Sequence, residues 1–250
     1  IYFSLSKAHR EPTRSDFENN INIQPEELID YELGWKYNAE KFFFNSNLYY
    51  MGYKNQLVLT GALDDVGSPI RENSGKSYRM GIELESVYKA TNKLNISANI
   101  SLSENKNVDY KTNYNGVITD WGDTDISFSP NVISSAGIQF SASQDLTFTL
   151  LNKFVGNQYM SNTESNISKL SSYSTSDLNI LYTIKNSAYF SEIIVTAMIN
   201  NIFNKEYVSN GYYYTYDDTW SDPNLITTIE GTGYYPQAKR NFLLGLTFKL

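Results

Sequence analysis

The sequence predicts an all-β fold: an antiparallel β-barrel that crosses a membrane with its strands. Three observations lead there. Apolar and polar residues alternate in segments along the whole chain, the period of a strand whose two faces meet different surroundings. The connections between these segments are by turns short and long, as in a meander with tight turns at one end and loops at the other. Aromatic residues make up 15% of the chain, with 21 Tyr and 13 Phe. That excess suits half-wet positions at a membrane interface better than a dry core, where every phenol needs a hydrogen-bond partner.

Ten segments carry the alternation: about 1–7, 29–38, 41–55, 76–90, 94–104, 131–143, 146–157, 173–185, 193–204 and 236–250. The first, "IYFSLSK", is already in strand rhythm at residue 1, which predicts that the chain is a piece of a longer protein. The fourth, "YRMGIELESVY", places Tyr78, Met80, Ile82, Leu84 and Tyr88 on one face and Arg79, Gly81, Glu83 and Glu85 on the other. The fifth sets Leu94, Ile96, Ala98, Ile100 and Leu102 against Asn95, Ser97, Asn99, Ser101 and Ser103. The last sets Phe242, Leu244, Leu246, Phe248 and Leu250 against Asn241, Gly245, Thr247 and Lys249, with Leu243 breaking the pattern. Several segments have the roughly 9–11 residues that a tilted strand needs to cross a bilayer. Short connections fall around Ala39, Asn92 and Gln144 and from Asn186. Long ones cover 8–28, 56–75, 105–130, 158–172 and 205–235. Tyr31, Tyr37, Phe42, Tyr78, Tyr88, Phe140, Phe154 and Tyr182 gather near strand ends, as an aromatic girdle requires.

Composition removes several function classes. The longest purely hydrophobic run is Leu48 to Met51, four residues, far below the roughly 18 of a spanning helix. A net charge of −7 without a basic stripe argues against nucleic acid as a partner. No cysteine is present, so neither a disulfide framework nor a thiolate metal site forms. A nucleophile elbow, a phosphate loop and a Cys/His cluster are all missing, and no catalytic residue or cofactor is expected. The polar second faces suit a wet lumen. The alternatives are a soluble binding module and a self-contained ten-stranded barrel with protease-like surface activity, for which a single histidine offers little acid–base chemistry.

Three stretches resemble one family. "REPTRSDF" from Arg10 and "PEELIDYELGWKY" from Pro25 look like a strand–loop–strand of TonB-dependent outer-membrane receptors. "INNIFNKEYV" from Ile199 and "YYPQAKRNFLLGLTFKL" from Tyr234 resemble their late and final strands, in the flavour of receptors from the Bacteroides group. The chain departs from the usual terminal Phe, ending on Leu250 with Phe248 two positions earlier. The resemblance implies a 22-stranded plugged transporter in the bacterial outer membrane. Residues 1–250 would then be the C-terminal part of its barrel, preceded by a plug, a TonB box and about twelve strands. The implied partners are the lipid bilayer, the plug and remaining strands, TonB acting through the plug, and a small-molecule or metal-chelate ligand. An iron-siderophore chelate is the expected cargo, with haem, cobalamin and oligosaccharide as alternatives.

Candidate ligand contacts are the loop aromatics Tyr212, Tyr213, Tyr214, Tyr216 and Trp220, and in another loop Tyr110, Tyr114 and Trp121. Such residues give large amphipathic contact area at low entropy cost, or simply pack loop on loop. Arg79, Glu83, Glu85 and Leu243 are assigned to the lumen, facing the plug. His9, the one histidine, is either a solvated loop-base residue or, in a haem receptor, an axial ligand. Asp120, Asp123 and Asp125 could offer oxygens to calcium but lack the full spacing of a calcium loop, and a solvated acidic loop is the plainer reading.

Overall fold

Period-2 alternation becomes strand throughout. The protein is described from a computed structural model that covers every residue except 65–66, 115–116, 186–188 and 223–224. In chain order the elements begin with β1 (Tyr2–Arg10), a short helix α1 (Arg14–Asn19), β2 (Glu26–Asn38) and β3 (Phe42–Lys54). Next come β4 (Leu57–Leu63), β5 (Pro69–Asn73), β6 (Lys76–Thr91), β7 (Leu94–Tyr114), β8 (Val117–Asp125), β9 (Val132–Ser141) and β10 (Leu146–Val155). The chain continues through β11 (Gln158–Tyr159), a 3-10 turn at Asn166–Ser168, β12 (Lys169–Leu170), β13 (Tyr173–Lys185) and β14 (Glu192–Asn200). It closes with β15 (Val208–Asp218), β16 (Thr227–Pro236) and β17 (Asn241–Lys249).

Among the described residues one antiparallel sheet runs β1-β2-β3-β6-β7-β9-β10-β13-β14-β17, so the ten alternating segments pair in chain order. β8 extends β7 beyond the sheet, while β4–β5, β11–β12 and β15–β16 are separate two-stranded ribbons. The long connections are therefore structured rather than irregular loops. The tight turns around Ala39, Asn92 and Gln144 lie at one end and the long connections at the other; the turn from Asn186 begins with residues outside those described.

Register gives each face its character, because directly opposed residues in antiparallel strands point to the same side. One row reads Phe3–Leu33–Leu48–Ile82–Leu102. Another reads Ile96–Ile138–Leu150–Leu178–Ile199–Phe242, and a third Phe140–Phe148–Ile180–Ala197–Leu244. An apolar belt thus crosses all ten strands without a soluble core behind it. Aromatic residues border it at both ends. Tyr31, Tyr50 and Tyr78 form a chain with ring centroids 6.5 and 6.2 Å apart towards the loops. Trp35, Tyr37, Phe42 and Phe44 cluster at 5.5–6.3 Å beside the tight turn. An apolar band with two aromatic girdles is the lipid face of a transmembrane barrel.

The opposite face is polar: Glu83 sits between Asn47 and Ser101, and Glu85 between Asn45 and Asn99. Asn99 donates to Ser135 at 2.8 Å and Asn95 to Gln139 at 3.2 Å. Such a surface belongs to a wet lumen. The buried apolar residues Ile23, Leu57, Val58, Tyr110, Ile126, Val155, Met160 and Leu170 all lie in or next to the long connections. The packed core of this chain is its loop assembly.

Candidate functional site

The recurring motifs staple the loops to the strands. After β1, the Asp16 carboxylate accepts hydrogen bonds from the Thr13 backbone and hydroxyl, both at 2.7 Å, and meets Arg71 at 3.3 Å. Burial pushes the Asp16 carboxyl upward, but the Thr13 bonds and the Arg71 charge outweigh it and hold the group below its ordinary 3.8. Ionised Asp16 therefore stabilises this loop at neutral pH, and the contribution disappears as pH falls through the lowered value. The expected result is faster hydrogen exchange across 13–24 below pH of about 4, with Asp16→Asn exchanging fast at every pH. A loop whose protection stays constant in the native protein would remove Asp16 as its anchor.

The Pro-Glu pair that opens β2 acts similarly. Glu26 accepts from the Leu57 backbone at 2.9 Å, while Glu27 meets Lys7 at 3.3 Å and Lys54 at 3.9 Å. In "INNIFNKEYV", buried Asn201 donates to the carbonyls of Lys205 (2.8 Å) and Ala238 (3.2 Å) and accepts from the Lys205 backbone (2.8 Å). Asn204 accepts from the Arg240 backbone at 3.0 Å. The two asparagines, both at positive φ (51° and 54°), close the base of the β15–β16 connection. Asn tolerates that conformation better than most residues.

All five long connections are tied into one canopy. Gln24 and Asn73 exchange bonds at 2.8 and 2.9 Å between the first two. Asn162 accepts from the Ser127 backbone (2.9 Å) and donates to the Leu59 carbonyl (2.9 Å), joining three of them. Ser165 donates to Glu230 at 3.0 Å, and Tyr234 to the Ile167 carbonyl at 3.0 Å. Tyr110 is 1% exposed and donates to Glu72 at 2.8 Å. Burial, then the Glu72 charge, keep its phenol protonated far above its ordinary range. Tyr110 thus packs loop on loop.

The tyrosines of β15 divide by strand parity. Tyr213 points into the canopy, where its hydroxyl donates to Glu230 at 2.6 Å. A Cβ on Gly61, which sits at φ 89°, would come within 2.8 Å of the Tyr213 ring, so glycine meets both conditions there. Tyr212, Tyr214 and Tyr216 lie on the other face with centroids 6.2 and 6.4 Å apart, and Tyr235 flanks Tyr212 at 6.0 Å. Trp220 is exposed at the tip. Trp121 is exposed on β8 and donates to Thr112 at 3.0 Å, while the side chain of Tyr114 lies outside those described. Sequence reasoning missed the residues that shape this hairpin, namely Glu230, Gly231 and Gly233. The signal was the alternation "EGTGYY", which places glycines opposite Tyr214 and Tyr212.

The acidic run does not converge. Asp120 pairs with Lys111 (3.0 Å), Asp123 accepts from the Asp109 backbone (3.0 Å), and Asp125 pairs with Lys106 (2.7 Å). Among the described residues no group of three or more His, Cys, Asp and Glu side chains is placed to hold a metal ion. His9 is exposed at the end of β1, opposite Glu27. Arg79 and Glu83 line a cleft of about 320 Å³ on the polar face with Glu32, Tyr49 and Phe128. Arg79 donates there to Ser129 at 2.7 Å and Asn105 at 3.3 Å. Glu85 shares that polar face, and Leu243 stands on it opposite Met198, exposed.

This geometry has counterparts among solved proteins. The chain resembles a copper transporter, OprC, with a TM-score of 0.70 and 18% identity over 99% of this chain and 36% of that one. It resembles the siderophore receptor PiuA from Acinetobacter baumannii (0.64; 19% identity; 90% and 29%). It also resembles the ferric yersiniabactin uptake receptor FyuA from Yersinia pestis (0.64; 16%; 98% and 33%). The chain spans about a third of the length of these receptors. Among curated protein sequences none matches it. The family described as TonB dependent receptor-like, beta-barrel matches residues 1–202. With that match over most of its length, the chain belongs to the TonB-dependent receptor β-barrels of the bacterial outer membrane.

Proposed function

We propose that residues 1–250 form the C-terminal part of a 22-stranded, plugged receptor that imports a scarce nutrient with energy from TonB, and that the nutrient is an iron chelate. The observation carrying this reading is the open sheet with a lipid face. Among the described residues β1 pairs only with β2 and β17 only with β14. In a bilayer every backbone polar group needs a partner, so such a sheet requires further strands to close. The polar face, with Arg79, Glu83, Glu85 and Leu243, then lines the lumen against a plug. The canopy forms part of the mouth, with Tyr212, Tyr214, Tyr216, Trp220 and Trp121 as its ligand-facing aromatics. Two of the three relatives above are named for siderophore or ferric-chelate uptake and one for copper, which supports a metal chelate as cargo. The motifs from Arg10 and Ile199 support a Bacteroides-type receptor.

Two measurements test this. Cells carrying the full-length receptor should take up radioactive iron as a chelate only when receptor and TonB are both intact. Uptake that survives loss of either would end the transport reading. The 250-residue chain expressed alone should not give a stable monomeric barrel in detergent. A monodisperse, heat-modifiable monomer would favour a self-contained ten-stranded barrel instead.

A further inference from the structure

The canopy leaves one face of the β15–β16 hairpin open, and its chemistry is specific. Tyr212 and Tyr214 stand opposite Gly233 and Gly231. A Cβ on Gly233 would lie 2.2 Å from Cζ of Tyr212, and one on Gly231 2.3 Å from Cζ of Tyr214. Both rings therefore lie flat across the neighbouring strand in space that only glycine leaves. Successive rings of Tyr212, Tyr214 and Tyr216 are tilted by 27° and 19°. Tyr212 is 50% exposed and Tyr216 is 53% exposed. The hairpin thus offers the faces of its rings, rather than their edges, as a nearly level surface. Those faces carry the negative side of the aromatic quadrupole.

The surrounding charge has the same sign. Residues 208–236 contain Asp217, Asp218, Asp222 and Glu230 and no Lys, Arg or His. Asp218 follows Tyr216 by two residues and so shares the tyrosine face. Its carboxyl is held below the ordinary range by bonds from the Ser221 hydroxyl and the backbones of Trp220 and Ser221. The opposite face is anchored through Tyr213, Glu230, Ser165 and Tyr234. The surface is preorganised, and residues 208–236 offer an anionic ligand no counter-charge.

We propose that the Tyr212–Tyr214–Tyr216 face, ending at Asp218, is the contact surface for a positively charged ferric chelate. Three hydroxamates neutralise ferric iron, and a pendant ammonium then makes the whole complex cationic. Three catecholates leave it triply negative. The ammonium is attracted to the open tyrosine faces and to the Asp218 carboxylate, while the chelate body covers the level surface. This assignment rests on the iron-chelate reading above.

The test uses the full-length receptor in detergent and titration calorimetry with three probes. These are ferrioxamine B, which carries a free ammonium, its N-acetylated neutral form, and ferric enterobactin, a tris-catecholate. The expected result is that ferrioxamine B binds about tenfold more tightly than the acetylated form, a difference of about 1.4 kcal/mol, with ferric enterobactin weakest. Tyr212→Leu combined with Tyr216→Leu should abolish that advantage. Tyr212→Phe combined with Tyr216→Phe keeps the ring faces and should preserve it, which separates lost recognition from a damaged hairpin. Equal affinity for the acetylated form, or preference for ferric enterobactin, would overturn the charge assignment while leaving iron import standing. Binding of none of the three would overturn this assignment, while the uptake measurement above decides iron import separately.

Discussion

A lysine at Leu244 or Ile180 sharply lowers outer-membrane assembly of the full-length receptor, whereas one at Thr247 or Thr196 leaves it near the native level. Ile180 and Leu244 flank Ala197 in one cross-strand row of the apolar belt. A lysine near mid-bilayer on the lipid face of such a barrel costs about 2–4 kcal/mol, falling towards zero near the interfaces. Thr196 and Thr247 sit on the other face, where an ammonium reaches water. Along β17 the pattern should alternate, with even positions sensitive and odd ones tolerant. Leu243 is the exception among the odd positions, because it stands opposite Met198 on the lumenal face and a plug would cover it. Quantifying assembled receptor for each variant decides the matter. Equal sensitivity at odd and even positions would mean that both faces are buried in protein, and the lipid assignment would fall.

That alternation is also why the barrel strands were legible. A strand between lipid and water must carry period 2 in its own residues, so each of the ten segments announces itself locally. Where both faces meet polar surroundings the signal stops. The alternation of the fifth segment ends near 104, yet β7 runs on to Tyr114 through "NKNVDYKTNY", because β8 folds back to pair with it above the sheet. The loop ribbons escape for other reasons: β4 buries Leu57 and Val58 side by side in the loop assembly and so shows no alternation, and β11 and β12 have two residues each, too short for any period.

The candidate site was legible in type and not in direction. Tyr110 and Tyr212 both sit in aromatic-rich connections, and nothing local separates them. Tyr110 is buried by Glu72, 38 residues away in another loop. Tyr212 is left open because Gly233 gives its ring room to lie flat. Both outcomes depend on partners brought close only by the finished fold. The exception is parity within β15, since strand alternation alone would have put Tyr213 on the face opposite to Tyr212 and Tyr214.

Tyr110→Ala should open the canopy while leaving the barrel assembled. Removing a fully buried aromatic side chain costs about 3–5 kcal/mol in transfer and cavity terms. It also strips Glu72 of its donor. Burial already raises the Glu72 carboxyl, and the Tyr110 hydroxyl is the contact that opposes this rise. Tyr110→Phe keeps the ring and deletes only the bond, so its cost should be smaller, about 1–3 kcal/mol. Losing that bond also drives Glu72 further towards its neutral form, so the Phe variant should recover loop protection as pH is lowered and Glu72 protonates. Hydrogen exchange on the detergent-solubilised receptor reads both effects. In Tyr110→Ala, protection should fall across 57–73, 105–125 and 158–170 and persist in the sheet strands β9, β10 and β13. Those strands are held by their own ladder and by the detergent around their apolar face, not by the loops. If exchange accelerated in the sheet as much as in the loops, canopy and barrel would be one cooperative unit. If it accelerated nowhere, Tyr110 would not be holding the loops together.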